Sequence, residues 1–64
     1  MKQDTITLEA SQAYSIRQTA AIFQVKPLTI TRWINSGKIA AYKEYRDWRI
    51  SGAEIARVIQ ERGK

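Results

Sequence analysis

Apolar positions recur at helical spacing in three stretches of the chain, separated by short polar segments. Ile16, Ala20 and Phe23 share one face, with Ala21 and Ile22 beside them. Ser15 and Gln18 stand in the S-x-x-Q spacing of a capping box, which satisfies two orphan N–H groups at a helix start. A first helix is therefore expected from Ile16 to Phe23. Pro27 suits the first position of a second helix, because its backbone angle is preset and it has no N–H to leave unpaired. The residue before a proline is pushed out of the helical region, so the first helix must end near Gln24. Only Gln24, Val25 and Lys26 separate the two, with Val25 expected to tuck beneath both. Ile30, Trp33 and Ile34 have the i, i+3, i+4 spacing of a buried stripe, and Gly37 suits a left-handed cap.

The pattern then changes period. Ile39–Lys43 and Asp47–Ile50 read as two short strands joined by a tip at Glu44, Tyr45 and Arg46, although no Asn-Gly or Asp-Gly marks the turn. Ser51 and Glu54 form a second capping box, and Ile50 with Ile55 fits a hydrophobic staple. A last helix is expected from there to Gly63, with Ile55, Val58 and Ile59 facing inward and Arg57, Glu61 and Arg62 in water. Residues 1–13 are polar and mixed. Apart from an alternation at Thr5–Leu8 that would suit a short strand, they read as a flexible arm. The expected fold is mainly α with a small β-hairpin, a winged helix-turn-helix over residues 14–64. Its expected core is Ile16, Ala20, Phe23, Val25, Ile30, Trp33, Ile34, Ile50, Ile55 and Ile59.

Length and composition exclude much. With 64 residues the chain makes one domain. It has no cysteine and no histidine, so disulfides, thiol metal sites and the commonest general base are absent. Six carboxylates and a few hydroxyls remain, with no activating base or ligand spacing among them. Neither catalysis, a metal nor a cofactor is expected. No apolar run approaches the roughly 18 residues needed to span a bilayer. Met1-Lys2-Gln3-Asp4-Thr5 has no apolar segment behind it, so the expected location is cytoplasmic.

The net charge of +5 and pI near 10 suit an anionic partner, nucleic acid or membrane surface. The distribution is more telling. Residues 14–43 contain Arg17, Lys26, Arg32, Lys38 and Lys43 and no acid at all. Within that run, the outer face of the second helix offers Leu28, Thr29, Thr31, Arg32 and Asn35. Arginine can read guanine with two hydrogen bonds and asparagine can read adenine likewise, while a threonine methyl packs on thymine. The free N–H groups at the helix start suit a phosphate. An ordinary amphipathic helix would also have a polar outer face. The short turn, the proline start and the acid-free run favour double-stranded DNA. The hairpin has two readings. It either covers the core, or it is a wing reaching the DNA backbone or minor groove. Lys43, Arg46 and Arg49 favour a wing, whereas Glu44 and Asp47 weigh against it. Tyr42, Tyr45 and Trp48 offer faces for stacking on bases, but the preferred reading puts Trp48 in the core and makes the tyrosines amphipathic cover.

The segments Ser15-Ile16-Arg17-Gln18-Thr19-Ala20-Ala21, Thr29-Ile30-Thr31-Arg32-Trp33-Ile34-Asn35-Ser36-Gly37-Lys38-Ile39 and Trp48-Arg49-Ile50-Ser51 resemble the excisionase-type and MerR-like winged helix-turn-helix family. The resemblance covers about residues 14–60. It implies a second helix in the major groove with Thr29, Thr31, Arg32 and Asn35 toward DNA, and Arg17 near phosphate. It also implies that Lys38, Lys43, Arg46 and Arg49 serve the wing and its flanks. Where the family usually caps the second helix with serine or threonine, this chain has Lys26-Pro27, which removes the cap and adds a base near phosphate. Gln18 stands where the family often has an acid.

MerR-type regulators add a long dimerisation helix and an effector domain, for which this chain shows no segment. A single module has a small DNA interface, roughly 600–1,000 Å². The resemblance therefore implies a phage or mobile-element excisionase: a bacterial or phage-encoded, nucleoid-associated factor that binds repeated sites head to tail, bends DNA and directs an integrase. The alternatives are a small MerR-like transcription regulator on direct repeats and, less favoured, a protein-interaction adapter that has lost DNA binding. An adapter would need an apolar or acidic outer face on the second helix, where Leu28 is the only exposed apolar residue expected.

Overall fold

In the computed structural model, which describes residues 8–62, two short helices are followed by a hairpin and a third helix. The order is β1 (Ala13–Tyr14), α1 (Ile16–Phe23), α2 (Pro27–Ser36), β2 (Tyr42–Glu44), β3 (Asp47–Ser51) and α3 (Gly52–Arg62). Both bounds of α1 and α2 coincide with the sequence expectation, because each end has a local chemical cause. The Ser15 hydroxyl accepts from the Gln18 N–H at 3.0 Å, and the Gln18 side chain accepts from the Ser15 N–H at 3.0 Å. At the far end of α1 Gln24 turns left-handed, with φ 60° and ψ 45°. Its N–H donates to the Ala21 carbonyl and that of Val25 to the Ala20 carbonyl, at 3.2 and 3.0 Å. This is a Schellman ending. α2 ends the same way: Gly37 has φ 83°, and the N–H groups of Gly37 and Lys38 donate to the Ile34 and Trp33 carbonyls.

The hairpin is shorter than expected and its sheet larger. Ile39 also donates its N–H to the Trp33 carbonyl, at 3.3 Å, and Ala40 donates to the Glu54 carboxylate at 2.9 Å. These N–H groups serve a helix end and α3 rather than a ladder, so the first strand begins at Tyr42 and not at Ile39. β2 and β3 pair antiparallel with Glu44 opposite Asp47, leaving a two-residue tip, Tyr45-Arg46. β1 lies on the other side of β3, Tyr14 opposite Ile50, giving the order β1-β3-β2.

The first residue of β1, Ala13, belongs to the segment expected to be a flexible arm. Residues 8–13 instead pack on the domain. Gly52 donates to the Gln12 carbonyl at 2.8 Å and Ala53 to the Ala10 carbonyl at 3.3 Å. The Glu9 N–H donates to the Tyr14 hydroxyl at 2.9 Å, and Leu8, the last residue of the expected Thr5–Leu8 strand, packs on the core outside any strand. Thr5, Ile6, Thr7 and the expected cap at Gly63 lie outside the described residues.

The largest fully buried side chains are Ile30, Ile39, Ile50, Ile55, Val58 and Thr19, the last donating its hydroxyl to the Ser15 carbonyl at 2.8 Å. Tyr14, Ala20 and Phe23 complete the core. Ile16, Val25, Trp33 and Ile34 ring it half-buried. Ile59, expected inside, is 41% exposed. It lies one turn beyond Ile55, and a shallow groove of about 360 Å³ opens there between Ile22, Phe23, Gln24 and Arg62.

Gly52 is the contact on which the docking of residues 8–12 rests. A Cβ there would fall 1.9 Å from the Glu9 carbonyl oxygen. Gly52→Ala is expected to cost about 1–3 kcal/mol by overpacking, seen as a lower Tm, and to make the Leu8–Gln12 backbone cleavable by protease. An unchanged Tm would mean that this backbone steps aside freely.

Candidate nucleic-acid interface

α2 is anchored through Ile30, fully buried, and through Trp33, whose ring meets Phe23 edge-on with centroids 5.2 Å apart. That leaves Leu28, Thr31, Arg32 and Asn35, at i, i+3, i+4 and i+7, on the opposite face. Leu28 is 59% exposed, and Arg32 and Asn35 are exposed. Thr31 is half-buried, its hydroxyl donating to the Pro27 carbonyl at 3.4 Å, and Thr29 is half-buried on the flank. Lys26, extended and exposed, precedes Pro27, and no side chain caps the helix. The face thus presents two extended donors, a short hydroxyl and one aliphatic group. It carries no acid, as reading base edges beside phosphates requires.

The remaining cations divide into two groups. Arg17, Lys26, Arg32 and Arg46 have no carboxylate within 4 Å among the described residues. Lys38, Lys43, Arg49, Arg57 and Arg62 are already engaged, Arg57 by Glu54 and Glu61 and Arg62 over the Phe23 and Trp33 rings at 5.5 and 5.6 Å. Lys38 holds its ammonium 4.7 Å from the Trp33 ring centre, and Lys43 lies 5.3 Å from that of Trp48. Arg49 donates from Nε to Glu44 at 3.4 Å. Arg17, Arg46 and Arg49 come together along a cleft of about 330 Å³, bordered also by Ser15, Ile16, Asp47 and Trp48. Residues at the start of α1 and at the hairpin tip therefore border one space. Trp48, expected in the core, is half-buried and lines this cleft. Tyr45, expected as cover, is 96% exposed and covers nothing.

Pattern reading missed one brace. Ser51 does accept from the Glu54 N–H, at 3.1 Å. The Glu54 carboxylate, expected to return to Ser51, instead accepts from Ala40 and from Arg57, the latter at 3.0 and 2.5 Å. Arg57 also donates to Glu61 at 2.6 Å and to the Lys38 carbonyl at 3.5 Å. The Glu54, Arg57, Glu61 spacing is legible as helical ion pairing. Its grip on the segment between α2 and the hairpin is a tertiary contact, which no local spacing encodes. Hydrogen bonding to Arg57, then to Ala40, holds the Glu54 carboxyl below its ordinary value against the opposing effect of burial.

Among the described residues, no group of three or more His, Cys, Asp or Glu side chains is placed to hold a metal, and no helix is long and apolar enough to cross a membrane. Residues 13–63 match the model of a family described as the helix-turn-helix domain. The chain belongs to that family. Neither a curated protein nor a solved structure matches it. In the helix-turn-helix, α1 and α2 are the paired helices, Gln24–Lys26 is the turn, and the β2–β3 hairpin stands as a wing. A helix-turn-helix domain points to DNA as its ligand.

The brace has a pH signature. Because the folded pKa of Glu54 lies below the ordinary carboxylate value, its stabilisation is fully present well above that ordinary value and is lost as pH falls through the lower, folded one. Wild type is expected to exceed Glu54→Gln in stability by a constant margin near neutral pH, well above the ordinary carboxylate range. The margin should shrink under more acid conditions. Thermal melts across that range check it, and a pH-independent margin would remove the carboxylate charge from the explanation.

Proposed function

We propose that this domain is a sequence-specific double-stranded DNA-binding protein, not an enzyme, and that it serves as a phage or mobile-element excisionase. The observation that carries DNA recognition is the acid-free outer face of α2, with Arg32 and Asn35 exposed on it. Both residue types make two-bond contacts with purine edges in the major groove. Arg17 and Arg46 supply phosphate contacts from the start of α1 and the wing. The excisionase role rests on the resemblance of residues 14–60 to excisionase-type helix-turn-helix domains. One such module offers an interface of roughly 600–1,000 Å², so useful affinity calls for several copies on repeated sites. Copies set side by side bend the duplex and present it to an integrase.

The reading is tested by titrating the protein, at two salt concentrations, onto DNA from upstream of its own coding sequence and onto a scrambled control. Tight, salt-sensitive binding that steps up with protein on the first DNA alone supports it. Weak and equal binding to both overturns it. Arg32→Ala is expected to cost about 1–3 kcal/mol of specific affinity and to relax selectivity at one base pair. An equal loss on scrambled DNA would reassign Arg32 to phosphate. Arg46→Ala is expected to weaken both DNAs alike and to lower the salt slope by about 1. An unchanged slope would take Arg46 off the contact surface.

A further inference from the structure

The wing tip carries a residue that local energetics disfavours twice. Tyr45 has φ 60°, a left-handed conformation that glycine and asparagine adopt readily and a bulky aromatic does not. Its ring is 96% exposed, so no burial within the domain compensates. A two-residue hairpin turn has no structural need of an aromatic there. Strain of this kind clusters at functional sites, and no helix end calls for it here as one does at Gln24.

The surroundings indicate what covers the ring. Opposed residues of an antiparallel ladder share a face, so Tyr42, Glu44, Asp47 and Arg49 lie on one side of the wing and Lys43 and Trp48 on the other. The first face holds Glu44 directly opposite Asp47, and its Arg49 is bonded to Glu44. It repels phosphate. The second holds Lys43 folded over Trp48. Only the tip combines an uncovered ring with a cation lacking a described carboxylate partner, Arg46, and Arg17 lines the same cleft as Arg46. An exposed aromatic ring next in sequence to a guanidinium that lacks a described carboxylate partner suits a polyanion with apolar walls at its core, as the sugars and bases of a DNA minor groove provide.

We infer that Tyr45 is the side chain with which the wing enters the DNA minor groove, Arg46 beside it taking the flanking phosphate. This rests on the DNA-binding reading above and adds the contact residue and the groove. The wing therefore binds end-on through its tip rather than through a face of its ladder.

The test exploits a difference in sign. Tyr45→Asn relieves the left-handed strain and is expected to raise Tm. On a duplex selected by wild-type protein from a randomised pool, the same variant is expected to lose about tenfold in affinity, within what one aromatic–base contact is worth. Its salt slope should not change, because tyrosine is uncharged. Tyr45→Phe keeps the ring and should bind as wild type does. A minor-groove-binding polyamide seated at the wing position should weaken wild type and leave Tyr45→Asn unaffected. Full affinity in Tyr45→Asn would overturn the inference while leaving the DNA reading intact, and would turn attention to a protein partner at the tip. If wild type selects no duplex at all, the DNA reading falls and this inference with it.

Discussion

Four isoleucines meet at the centre of this domain, each from a different segment: Ile30 from α2, Ile39 from the stretch after it, Ile50 from β3 and Ile55 from α3. None is more than 1% exposed. A chain of 64 residues has little apolar surface to hide, so the elements cannot each have a separate packing interface. They share one. The orientation of α2 follows, because Ile30 and Trp33 fix which side of the helix is inside and leave Arg32 and Asn35 no alternative to solvent. The position of the wing follows too. Its first strand emerges from the segment that Ile39 pins, and its second runs into α3 without an intervening residue.

Around that centre, backbone hydrogen bonding decides where each element stops. Both α1 and α2 end in the same left-handed wrap, one with Gln24 and the other with Gly37. The first wrap makes the turn between the paired helices. The second delivers Ile39 into the core while its N–H still serves the end of α2. Glu54 and Arg57 then fasten the following residues to α3 from outside. The connection between α2 and the wing is thus held from both the core and the surface, although it contains no regular structure.

Local chemistry made the helices legible. Ser15, Gln18, Pro27 and Gly37 act on their nearest neighbours, and α1 and α2 fall at the residues those signals mark. Long-range partners were not legible. Nothing in the local pattern marks Tyr14 as core, and its burial follows from the pairing of β1 with β3. Ile59 has the spacing of a core residue, but whether it is buried depends on how far α1 extends over it. Ile39 is buried outside any strand because its N–H was claimed elsewhere. The candidate interface divides the same way. The outer face of α2 follows from period alone, as does the acid-free run. That Lys38, Lys43 and Arg49 are engaged, while Arg17 and Arg46 border one cleft, depends on three-dimensional neighbours.

The two lysine–tryptophan pairs give the domain an optical property. One indole lies beneath Lys38 at the end of α2, the other beneath Lys43 on the wing. An ammonium drawn toward an anion leaves its ring and changes the field that the indole experiences on excitation. The chain thus carries two intrinsic chromophores, one for each of the elements that would approach DNA, and their summed emission changes when either ammonium leaves its ring.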